Sequence, residues 1–359
     1  MTFTSFSRTS RLWCVLTALL CFGMSSGIAA AQSNTATHTA SKKTTTKRTA
    51  ARKPTTSRTS TAQASTSRSR SRATASARAL REAQEPRFRL DESGALVPDV
   101  RAEAAIIYDS ATGHVLWESN SQNQRSIASI TKVMTAVVFM EDSPDLSEEV
   151  VVEPVDVRAA STTYIRAGYR VTKGDLLHLT LIASDNAAAR ALARISSHGS
   201  EAFIERMNSK AAELGLTTTS YADPSGLLSA NVSSAYDMAK LITYVSRDER
   251  IASIMRTQTY TVTAGRRVIN IHSTNQLVMK GDVDVQAGKT GFITKAGYCL
   301  ATLLRLPQGG PQVAVVVLGA KSNAGRFWET RHLLNWFASK AEDLLGAPLE
   351  AAAATPAAQ

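Results

Sequence analysis

Ile127-Ala128-Ser129-Ile130-Thr131-Lys132-Val133-Met134-Thr135-Ala136 opens an apolar run in which Ile130, Val133, Met134, Val137 and Val138 recur at helical spacing. The spacing predicts a helix from near Ser129 to about Met140. Residues three apart share one helix face, so Ser129 and Lys132 fall within contact range. A serine hydroxyl is a weak nucleophile until a neighbouring base takes its proton. A lysine serves as that base only when burial or nearby cations lower its pKa, and Lys289 is the expected cation. Ser129 also lies near the expected helix start, where the dipole favours developing negative charge. A lone Ser-x-x-Lys says little, because both residues are common. Ser184-Asp185-Asn186 and Lys289-Thr290-Gly291 follow it in order.

Ser184-Asp185-Asn186 falls between two helical runs, Asp175 to Ile182 and Ala187 to Ile195, and therefore on a loop. Serine and asparagine both donate and accept hydrogen bonds. Ser184 suits proton relay toward a leaving amine, and Asn186 suits holding Lys132 and a substrate amide. Asn186 ahead of Ala187-Ala188-Ala189 suits a helix N-cap as well. Lys289-Thr290-Gly291 is expected at the start of an apolar strand. Lys289 supplies fixed charge, Thr290 a hydroxyl for a carboxylate, and Gly291 room for close backbone approach. A strand edge can also pair with an extended peptide. The amides of Ser129 and Phe292 are the candidate oxyanion donors. The candidate catalytic set is Ser129, Lys132, Ser184 and Asn186, and the candidate substrate-binding set is Lys289, Thr290, Gly291 and Phe292.

Strand-like runs bracket a helical middle. Ala104 to Ser110 and His114 to Ser119 flank the turn Ala111-Thr112-Gly113. Thr257 to Thr263 and Arg267 to His272 flank Gly265-Arg266, and Gln286 to Thr294, Tyr298 to Arg305 and Gln312 to Gly319 follow. Glu201 to Leu214, Ser234 to Val245 and Gly325 to Leu345 read as further helices. This is an α+β chain. Its opening hairpin and closing strands are expected to form one antiparallel sheet of about five strands, with helices on both faces and the helical middle inserted.

On these motifs the body from about Arg87 to Leu345 resembles the low-molecular-mass D,D-peptidases of the penicillin-binding serine peptidase family. Asp223-Pro224-Ser225-Gly226-Leu227, Thr274-Asn275-Gln276-Leu277-Val278, and Ala296-Gly297 with Cys299-Leu300 carry the resemblance further. It implies a β-lactamase/D,D-peptidase-like fold, Ser129 as acyl-ester nucleophile, Lys132 as proton acceptor, Ser184 as catalytic and Lys289 as substrate-binding. It also implies peptidoglycan stem peptides as substrates, β-lactam antibiotics as inhibitors, and no metal or cofactor. After Leu345 the carboxypeptidase branch typically adds a β-rich domain or amphipathic anchor, whereas here only an Ala- and Pro-rich tail follows. That favours the endopeptidase branch.

The ends of the chain read differently from its body. Arg8 and Arg11, the apolar run Leu12 to Met24 and Ala29-Ala30-Ala31 read as a signal peptide over 1–31. That run of 13 residues is short for a membrane span, which needs roughly 20. Leu20 before Cys21 is too large for a lipid-attachment site. A periplasmic or secreted chain follows, with Cys299 as its one remaining cysteine, expected in the core. Residues 32–81 hold twelve Lys or Arg and no acid, within a total charge of +11. With the two signal arginines removed as well, 82–359 carries −3. The segment 32–86 therefore reads as a basic disordered linker, with an anionic envelope surface as the partner that 32–81 would meet. Without aromatics for stacking, and on an exported chain, it does not suit nucleic acid. The expected domain order is 1–31, 32–86, a peptidase body over 87–345, and a disordered tail over 346–359.

Two rivals remain at this stage. A class A-like β-lactamase needs a glutamate between the second and third motifs to activate the deacylating water. Only Glu201, Glu205, Glu213 and Glu249 occur there, none followed by the x-x-Leu-Asn that such a site carries. A non-catalytic cell-wall-binding protein would not need every reactive side chain in place. A zinc peptidase is a weaker reading still, because the six histidines form no pair at ligand spacing.

Overall fold

The computed structural model describes Arg81 and residues 84–345. The expected signal peptide, nearly all of the basic linker and the tail 346–359 lie outside the described residues. Five strands form the central sheet: β1 (Ala104–Asp109), β2 (Val115–Ser119), β3 (Asp284–Ile293), β4 (Gly297–Arg305) and β5 (Gln312–Ala320). Their order is β3-β4-β5-β1-β2, with every neighbouring pair antiparallel. The first and last strands of the sheet in chain order, β1 and β5, thus pair in its interior. The principal helices are α1 (Thr131–Phe139), α2 (Lys173–Leu181), α3 (Asn186–Ile195), α4 (Gly199–Glu213), α5 (Ala235–Val245), α6 (Glu249–Arg256) and α7 (Asn323–Leu345).

Strand alternation explains the layering. On β5, Val313, Val315 and Val317 pack with Phe327, Leu333 and Phe337 of α7, whereas Ala314, Val316 and Leu318 join the core beneath the helical middle. Both faces of the strand are apolar, as a sheet covered on two sides requires. The α+β sheet with helices on both faces is as the sequence leads one to expect. β3 remains an edge strand, and it carries Lys289-Thr290-Gly291.

Three local features add to or correct the sequence reading. The hairpin Thr259–Ala264 with Arg267–His272 pairs only with itself and lies outside the five-stranded sheet. Its alternation explains this: Val262, Ala264 and Ile271 enter the helical core while most of the other side chains face outward. Lys289 stands in the middle of β3 rather than at its start, because the strand begins at Asp284 and passes a bulge between Val285 and Ala287. Helix α6 was not expected. Its apolar residues Ile251, Ala252, Ile254 and Met255 line one buried face, but the helix is only eight residues long. Cys299 is buried in the core, as expected.

Candidate active site

Ser129 occupies a single 3-10 turn, Ala128–Ile130, that feeds directly into α1. The preceding Ala128 has φ +49°, a left-handed conformation uncommon for a residue with a side chain. Packing holds it there from two sides. A Cβ on Gly226 would lie 2.1 Å from the Ala128 carbonyl oxygen, and one on Gly291 would lie 2.6 Å from that of Ile127. Either added carbon would also press on the Ser129 amide, at 3.0 and 3.2 Å. Glycine at both positions lets the edge of β3 and the turn at Gly226 clamp the serine.

Lys132 is fully buried one helical turn further on. Its Nζ donates to Ser129 Oγ at 3.0 Å, Asn186 Oδ1 at 2.6 Å and the Ser225 carbonyl at 2.5 Å. Asn186 Nδ2 donates to the Ala160 carbonyl at 2.7 Å, which fixes the amide so that its oxygen faces the lysine. Burial drives the amine's pKa down to about 7. Asp223 and then Asp185 oppose that fall, and Arg190 adds to it. Lys289 was the expected cation, and its amine and that of Lys132 do repel each other, while Arg190 was not foreseen. Asn186 Oδ1 and the Ser225 carbonyl can only accept. A neutral amine gives them its two N–H bonds and keeps its lone pair for the Ser129 hydroxyl.

Ser184 sits on the loop between α2 and α3 with φ +60°. The loop is held by Asp185, whose buried carboxylate accepts from the Ala188 amide at 2.9 Å, the Tyr164 amide at 2.6 Å and Thr163 Oγ1 at 3.0 Å. Asp185 is the N-cap of α3. The cap role suggested for Asn186 therefore belongs to its neighbour, and Asn186 opens the helix with its side chain turned to Lys132. Lys289 Nζ donates to Ser184 Oγ at 2.8 Å and to the Thr290 carbonyl at 3.0 Å. Burial first, then the charges of Lys132 and Arg326, hold Lys289 well below the usual lysine range.

Ser129, Ser184, Asn186, Thr290, Gly291 and Phe292 line one open groove of about 490 Å3. Lys132 and Lys289 lie beneath it. All eight candidate residues come together, with Phe292 half exposed at the rim and stacked on Tyr298 at 4.3 Å between ring centroids. Sequence reasoning gave no role to Arg326 of α7, which donates to the Gly291 and Cys299 carbonyls at 3.0 and 3.1 Å and lines the same groove. Burial brings its pKa down to about 10. No local pattern marks it, since it lies 35 residues beyond Gly291. Thr274 was also without a role, and its hydroxyl meets that of Thr290 at 2.6 Å. A larger hollow of about 630 Å3 lies elsewhere, lined by residues such as Arg256, Leu277, Arg305 and Leu334. It contains none of the eight candidate residues, so size alone does not locate the site. Among the described residues no Glu lines the groove, and no three His, Cys, Asp or Glu gather as metal ligands.

Residues 91–322 match the family model described as D-alanyl-D-alanine carboxypeptidase. A D-alanyl-D-alanine endopeptidase of Escherichia coli is 32% identical over 67% of this chain and 78% of its own. A D-alanyl-D-alanine carboxypeptidase of the same organism is 34% identical over 67% of this chain and 62% of its own. The crystal structure of a Streptomyces DD-transpeptidase superposes with a TM-score of 0.63 at 26% identity, covering 67% of this chain and 98% of that one. With a serine, a buried lysine and an edge strand assembled on that fold, the chain belongs to the D-alanyl-D-alanine carboxypeptidase family and is a serine hydrolase.

Proposed function

We propose that this hydrolase is an endopeptidase that cuts D-alanyl cross-links between peptidoglycan stem peptides. The observation that carries the reading is the Lys132 amine held on Ser129 Oγ by two acceptors that cannot compete for its lone pair. Lys132 takes the serine proton as Oγ attacks the D-alanyl carbonyl. The oxyanion is held by the Ser129 and Phe292 amides. The proton then passes by way of Ser184 to the departing amine, with Lys289 steadying the serine oxygen. Water enters once the amine has left and hydrolyses the acyl ester. An extended stem peptide pairs with the open edge of β3, and Thr290, Lys289 and Arg326 present donors to its carboxylate.

The endopeptidase preference draws support from the D-alanyl-D-alanine endopeptidase of Escherichia coli, which this chain matches over 78% of that protein's length. Digestion of purified cross-linked peptidoglycan, with products identified by mass, tests it. Release of free D-Ala from uncross-linked pentapeptide at a rate equal to or above cross-link cleavage overturns the preference. Arg8, Arg11 and the apolar run to Met24 support export of the chain, with cleavage after Ala31 and action in the periplasm. N-terminal sequencing of the protein from the periplasmic fraction checks both. Residues 32–81 would then act as a basic tether toward an anionic envelope surface. Such attachment should weaken with salt.

A further inference from the structure

The turn from Asp223 to Asn231 touches the reacting side chains at several points, and a single buried carboxylate organises it. Asp223 Oδ2 accepts from the Ser225 amide at 2.9 Å and from Ser225 Oγ, while Oδ1 accepts from the Leu228 amide at 3.1 Å and from Asn231 Nδ2. Asn231 closes the turn by accepting from the Ala222 amide at 3.0 Å, and its own carbonyl takes the Ile127 amide at 3.1 Å. Outward from this knot, the Pro224 carbonyl accepts from Thr135 Oγ1 at 2.6 Å, the Ser225 carbonyl accepts from Lys132 Nζ, and Gly226 abuts Ala128.

We propose that Asp223 is a positioning residue for acylation: its carboxylate shapes the turn that holds the Ser225 carbonyl on Lys132, and it fixes a negative charge near that amine. The proposal rests on Lys132 being the base. Asp223 does not touch the substrate. Burial works against its charge, but the Ser225 hydroxyl and the surrounding amides outweigh burial and hold the carboxyl below its usual range. The other charged groups acting around Lys132 are Asp185, which favours the ammonium form, and Arg190 and Lys289, which disfavour it. An anion among them keeps the lysine protonated to higher pH than burial alone would allow.

The test follows β-lactam acylation rate against pH in the full chain. Asp223→Asn keeps the size but loses the charge and turns an amide donor on groups that themselves donate. The acid-side midpoint should move down by about one pH unit, and the plateau rate should fall about tenfold as the amine loses its fixed position. Asp223→Glu keeps the charge, so its midpoint should stay with the wild type while its plateau falls. A merely structural residue would lower the amount of folded protein without moving the midpoint of the folded fraction. Wild-type midpoint and plateau in Asp223→Asn overturn the proposal. Where Asp223→Asn does not fold, Asp223→Glu decides, and a wild-type plateau there overturns the positioning role. Failure of the underlying reading looks different: the acid limb would persist in Lys132→Ala, whatever Asp223 does.

Discussion

Lys132 ties the site's chemistry to pH through one amine. The charged form cannot accept the Ser129 proton, and the neutral form can. Because burial brings its pKa to about 7, acylation should climb as pH rises through that value and then level off. Stopped-flow acylation by a chromogenic β-lactam checks this, and a rate that falls with rising pH near neutrality would remove the lysine as base. Intact-mass spectrometry of the wild type should find one long-lived drug adduct. The tethered leaving amine blocks the ester, and among the described residues no Glu lines the groove to activate water. Ser129→Ala should show no adduct, and Lys132→Ala should form it about a thousandfold more slowly. Fast drug turnover without an adduct would instead mark a β-lactamase. At this scale the motif residues were legible because each chemistry demands a residue type at a fixed spacing. Arg326 was not, and Asp223 stood out only within a resembling stretch and without a role, since what each holds is a carbonyl or a turn across the fold rather than a spacing along the chain.

Elements position these groups, and two of them rest on single residues. Asp185 caps α3 and also gathers the Tyr164 and Thr163 donors. Asp185→Ala leaves these buried groups without an acceptor and should cost about 2–4 kcal/mol. A thermal melt checks this, and an unchanged Tm counts against the clamp. Acylation should fall with it, because Ser184 and Asn186 flank the cap. Gly226→Ala places a Cβ 2.1 Å from the Ala128 carbonyl oxygen at a backbone φ of +78°. The turn must shift, so the variant should lose acylation out of proportion to its loss of stability. The sequence marked α1, the late strands and the loop of Ser184 well, because apolar period and turn residues agree there. It placed Lys289 too near the strand's start and missed α6, since a strand's beginning depends on what it pairs with and a helix of eight residues offers only two turns in which to read a period.

Across the molecule, both apolar clusters lie within residues 102–341. Deleting 32–81 should therefore leave hydrolysis of a small soluble substrate and the melting temperature unchanged, and a deletion variant that melts early would show that the body needs the segment. The candidate catalytic and binding groups come from three regions far apart in the chain: the turn before α1 and its first residues, the loop before α3 and that helix's first residue, and the edge strand β3. Ser129 and Lys289 are brought together only when the sheet has paired and the helical layer has docked on it. On refolding from denaturant, far-ultraviolet ellipticity should recover first and penicillin reactivity last, since long loops must close before the groove exists. A fluorescent penicillin would then count only completely assembled molecules, making the drug a clock for the slowest event in this chain's folding.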